Sequence, residues 1–129
     1  MSIHHITGVV GAPDCGAEIT VARGENVTIE VTVTDSDGNP YSLSGATGWL
    51  TIKADAASAA LIELDTSGAE GAITDAAGGV FEVYILPASL AALEGAYVYD
   101  AWVQTSGDDR HRVVKSTLIT VVVPITSIP

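Results

Sequence analysis

Basic side chains are scarce in this chain: Lys and Arg number 5 against 16 Asp and Glu, which leaves a formal net charge of -11 at pH 7 over 129 residues. A surface so acidic repels phosphate backbones and anionic lipid headgroups, so neither nucleic acid nor membrane is expected as a partner. Cysteine is scarcer still. The one thiol, Cys15, has no partner for an internal disulfide, and no local motif around it marks a nucleophile, so it reads as a small semi-buried apolar residue. Long apolar runs are also missing. The most apolar stretch, Leu118 to Val123, has the length of a strand, whereas a membrane helix takes about 20 residues. The segment Met1 to Ile6 lacks a positive start, an apolar run and a small-residue cleavage site, so no leader is expected. The product is expected to be made in a cytoplasm and kept there, or to leave it by lysis or assembly.

What is present is apolar and regularly spaced. Hydrophobic residues make up 47% and charged residues 16%, far from the polar signature of disorder, and the length suits one core. Val27, Ile29, Val31 and Val33 alternate with Thr28, Glu30, Thr32 and Thr34, the period of a strand with one dry and one wet face. Further strands are expected at Ile19 to Val21, Trp49 to Lys53, Leu61 to Leu64, Gly79 to Ile85, Ala96 to Val103 and Arg112 to Val123, with brief pairing at Ala72 to Thr74. Asp35-Ser36-Asp37-Gly38-Asn39-Pro40 is a loop by composition. Pro87 to Leu93 switches to helix formers behind a proline and stops before Gly95, which predicts one or two helical turns. Together these elements predict an all-β, antiparallel two-sheet sandwich with one short helical turn. Residues 1–17 read as an N-terminal arm or irregular edge strand, and 18–129 as a single sandwich domain. The charge-poor last strand would aggregate as an open edge, so it is expected to be central in a sheet or covered by another chain.

Candidate sites are few. Asp35, Asp37 and Asn39 could turn oxygens toward a hard cation, but glycine comes fourth in the loop instead of sixth and Ala46 stands where a bidentate Glu belongs, so a plain turn is expected. His4 and His5 are adjacent and point to opposite faces of a strand, and no nucleophile elbow accompanies them or His111. No catalytic, cofactor-binding or metal-binding residue is therefore assigned, no cofactor is expected, and the chain is read as a non-enzyme. Arg110, His111, Arg112 and Lys115 follow Asp108 and Asp109, which suggests a balanced, solvated side of a hairpin. With aromatics at 5%, Trp49, Tyr84, Tyr97, Tyr99 and Trp102 are expected in core packing, with a carbohydrate platform as the alternative.

Arg23-Gly24-Glu25-Asn26-Val27-Thr28-Ile29, Asp35 to Pro40, Leu43-Ser44-Gly45-Ala46-Thr47, Gly79-Val80-Phe81, Leu86-Pro87 and Gly95 to Asp100 follow one another in an order that resembles a tailed-phage module. The module is the Ig-like amino-terminal domain of baseplate upper proteins and related virion proteins, and the likeness spans roughly residues 18–123. It implies an Ig-like sandwich without catalysis, located in the virion. No coiled coil or receptor-binding region is expected after Pro129, so the expected role is a capsid decoration or a head-tail or baseplate accessory part. The expected partners are other virion proteins, such as the major capsid, neck or baseplate proteins, met in multiple copies per particle. Assembly through the termini makes Ile3, Ile6, Val9, Val10, Leu118, Val121, Val123 and Ile125 the expected partner-binding residues. Deleting 1–17 or 113–129 is expected to abolish incorporation while leaving the sandwich folded. The alternative is an Ig-like module that binds a glycan or cell surface through Trp49, Trp102 and the acidic loops.

Overall fold

The computed structural model describes residues 2–11, 14–15, 18–55, 57–105 and 109–123. Their elements are β1 (Ser2–Val9), β2 (Asp14–Cys15), β3 (Ile19–Ala22), β4 (Val27–Thr34), β5 (Thr47–Lys53), β6 (Ala60–Asp65), β7 (Gly71–Asp75), β8 (Val80–Ile85), α1 (Pro87–Leu90), β9 (Gly95–Gln104) and β10 (Arg110–Val122). One sheet has the order β1-β4-β8-β7. The other runs β2-β10-β9-β5-β6, with β3 also paired to β10. The result is the all-β, two-sheet sandwich that the alternation predicts, with one helical turn between β8 and β9.

Period two explains which side of each strand is dry. Val27, Ile29, Val31 and Val33 of β4 and Phe81, Val83 and Ile85 of β8 face Leu50 and Ile52 of β5, Ile62 and Leu64 of β6, and Tyr99, Ala101 and Val103 of β9 across one core. Pro87 opens α1 and Leu90 drops from it into that core. Pairing is antiparallel except where the N-terminal segment joins: β1 runs parallel to β4, and β2 and β3 run parallel to β10.

The last strand is central. β9 takes one of its edges, while β2 and β3 follow each other along the other, at Val114–Lys115 and Ile119–Val122. Register shifts on either side of Val114 mark bulges, which lets the neighbours Val113 and Val114 both be buried. The same burial corrects the deletion expectation. Residues 113–122 supply Val113, Val114, Ile119 and Val121 to the core, and β1 supplies Ile6, so neither terminal segment can be removed without opening the sandwich. Gly8 of β1 lies so close to β10 that an added Cβ would sit 2.7 Å from the Val113 side chain.

Candidate functional site

Of the eight residues expected to meet a partner, Ile3 is exposed on β1 at 54%, and Leu118 and Val123 are exposed at 39% and 50%. Val9 is half-buried, and Val10 rests against the core. Ile6 and Val121 point inward and are spent on core packing. Ile125 lies outside the described residues, as does the side chain of Cys15. The exposed members are not brought together: Ile3 belongs to the first sheet and Leu118 to the second.

The Asp35 loop is a turn closed by its own groups. Asp35 Oδ1 accepts hydrogen bonds from the amides of Asp37 (2.9 Å) and Asn39 (3.0 Å), and the Asp35 amide donates to the Asn39 carbonyl at 2.9 Å. The turns at Asp55, Asp65 and Asp75 use carboxylates in the same way. The Ser67 hydroxyl, and then backbone amides, hold Asp65 below the usual carboxylate range, and the Ser58 hydroxyl does the same for Asp55. Among the described residues no group of three or more His, Cys, Asp or Glu is placed to hold a metal ion. His5 is an exposed neighbour of Glu30 at 3.0 Å, and His111 sits edge-on to the Tyr41 ring at 6.2 Å between centroids.

The outer face of the second sheet is different. Alternation that turns Leu50 and Ile52 inward turns Trp49, Thr51 and Lys53 outward, and the inward Tyr99, Ala101 and Val103 leave Asp100 and Trp102 outside. The antiparallel register then sets Trp49 directly beside Trp102, and Trp102 beside Arg112. Arg110 lies over the Trp49 ring with its Cζ 5.9 Å from the centroid, within cation–π range, and its Nε donates to Gln104 Oε1 at 3.2 Å. Trp49, Thr51, Trp102 and Arg110 line an open depression of about 330 Å³. A second depression beside it shares Thr51 and Trp102 and adds Lys53, Glu63, Asp100 and Arg112.

The core reading of the tryptophans is thereby corrected. Phe81, Tyr99 and aliphatic residues fill the interior, while Trp102 is 37% exposed and Trp49 half-buried. Arg110 and Arg112, read from sequence as a solvated hairpin side, are the cationic border of this aromatic face. The signal was available in part, because each tryptophan occupies the wet phase of its strand; the pairing of residues 49 and 102 is not encoded locally.

No protein-family model matches the chain, and no curated protein matches its sequence. Among solved structures the chain is similar to the N-terminal domain of phage TP901-1 ORF48, with a TM-score of 0.60 and 13% identity over 95% of this chain and 98% of that one. It also overlaps the cysteine protease inhibitor EhICP2 from Entamoeba histolytica (TM-score 0.44, 13% identity, 96% and 97% covered). A third overlap is with AggA, the major subunit of aggregative adherence fimbriae type I from Escherichia coli (TM-score 0.30, 16% identity, 86% and 91% covered). The last two likenesses are too loose to carry an argument. The first is a likeness of fold: across nearly its whole length, this chain has the sandwich of a phage protein's N-terminal domain.

Proposed function

We propose that the chain is a non-enzymatic structural component of a tailed-phage virion, either a capsid decoration or a head-tail or baseplate accessory part. The observation that carries this reading is the shared fold with the N-terminal domain of phage TP901-1 ORF48 over 95% of one chain and 98% of the other. The resemblance of the turn-and-strand signatures between residues 18 and 123 to a tailed-phage module supports it independently. In this role the acidic surface keeps particles soluble, and edge strands and exposed apolar residues such as Ile3 and Leu118 meet neighbouring virion proteins. Peptide mass spectrometry of density-banded particles, quantified against the major capsid protein, tests it. Many copies per particle are expected, whereas protein found only free in the lysate would reject the virion role.

A second reading is favoured by one specific feature, the solvent-facing pair Trp49 and Trp102. Large rings kept out of a core that has room for few aromatics suit a ligand-binding module, with a glycan as the ligand. Binding above background on a glycan array, lost in Trp102→Ala, is the expected outcome; a blank array removes this reading.

A further inference from the structure

The second depression holds both signs of charge, but the first holds only aromatic, hydroxyl and guanidinium groups. Three of the five basic residues, Lys53, Arg110 and Arg112, border these two hollows on a chain whose net charge is -11. Among the described residues no carboxylate lies within ion-pair distance of any of the three. Lys53 and Arg112 share the second hollow with Glu63 and Asp100, whereas Arg110 borders a hollow that no carboxylate of the described residues lines, and this end of the face is the one open to an anion from outside.

We propose that the outer face of the second sheet binds an acidic saccharide, with a pyranose ring stacked on Trp102 and its carboxylate held by Arg110 and Arg112. This assignment rests on the ligand-binding reading and narrows it to a charged sugar. The C–H face of a sugar ring suits an indole surface, and its hydroxyls find the Thr51 side chain, the next outward residue along β5 from Trp49. The carboxylate suits the planar fork of a guanidinium, which pairs bidentately where a lysine cannot. A depression of about 330 Å³ is at the small end of ordinary ligand sites, matching a short saccharide better than an extended chain. A polyanion such as single-stranded nucleic acid could stack here too, but its next phosphates would run into Glu63 and Asp100 of the adjoining hollow. An acidic peptide would engage the arginines and leave the indole face uncovered.

The chain carries two tryptophans, and both lie at this site, so intrinsic tryptophan fluorescence reports on this face alone. The full chain is titrated with galacturonic-acid oligomers, with uncharged maltooligosaccharides and with poly-glutamate. The expected result is a saturable change with the acidic oligomers, weakened about tenfold or more in Arg112→Ala and Trp102→Ala and partly kept in Arg112→Lys. Circular dichroism checks that these surface variants fold. No response to either sugar up to about 10 mM overturns both this inference and the ligand-binding reading. An equal response to charged and uncharged sugars overturns the inference and leaves the ligand-binding reading standing. A response to poly-glutamate that matches the acidic sugar, or an affinity indifferent to Arg112→Ala, overturns it in favour of a protein partner or a purely aromatic contact.

Discussion

Gly48 and Phe81 show how one residue decides the spacing between sheets. An added Cβ at Gly48 would sit 2.8 Å from the Phe81 ring, and Phe81 itself is fully buried. Gly48→Ala is therefore expected to cost about 1–3 kcal/mol of stability by overpacking, with part of the loss recovered in the double variant with Phe81→Leu. Thermal melts of the two variants check this, and a wild-type melt for Gly48→Ala would show that the sheets yield freely there. On the first sheet the Tyr84 hydroxyl donates to Glu82 Oε1 at 2.5 Å, and this bond to a carboxylate, aided by desolvation and the charge of Glu82, raises the tyrosine above its ordinary value of 10.0. Because the folded value is the higher one, the stability the bond contributes is whole below pH 10.0 and is lost as pH rises through the folded value. An ultraviolet tyrosinate titration should show a late component that moves down in Glu82→Gln. The alternation of VFEVYI places Glu82 and Tyr84 on one side in sequence; their contact with each other depends on rotamers that no pattern reports.

At the scale of elements, the N-terminal strand is the instructive case. Residues 1–17 carry no clear periodicity, yet Ser2–Val9 pairs along its whole length with β4. The pairing is legible only once β4 exists as a template, since a parallel partner gains its hydrogen bonds from a segment distant in the chain. Two substitutions on this strand separate its roles. Ile6→Ala empties a core position and is expected to cost about 2–5 kcal/mol, whereas Ile3→Lys changes an exposed side chain and should stay within about 0.5 kcal/mol of wild type. If the chain assembles in a virion through this edge, Ile3→Lys lowers its copy number in purified particles while leaving the melt unchanged. Unchanged incorporation would remove Ile3 from the contact. For β10 the sequence offered two ways to protect a charge-poor strand, and the fold uses the first, flanking it with β9, β2 and β3.

For the whole molecule, 16 acidic residues against 5 basic ones make self-repulsion a standing cost of the folded state. The melting temperature is expected to rise as sodium chloride goes from about 10 mM to about 200 mM, where the screening length falls below about 10 Å. A melting temperature that falls over that range would mean that local ion pairs outweigh the net repulsion. The amino-acid sequence by itself determined the strands from β3 onward, the turns and the helical stop, because alternation, Asx turns, glycine and proline act over a few residues: Val27–Thr34, the Asp35 loop and Pro87–Leu90 all lie where local chemistry puts them. It also determined that Trp49 and Trp102 fall on the wet phase of their strands. Only the tertiary structure decided that these two rings stand side by side with Arg110 over one and Arg112 beside the other, that β1 runs parallel to β4, and that the last strand is central. Each of those outcomes depends on backbone pairing between segments far apart in sequence, whose choice is made by the collective burial of one shared core.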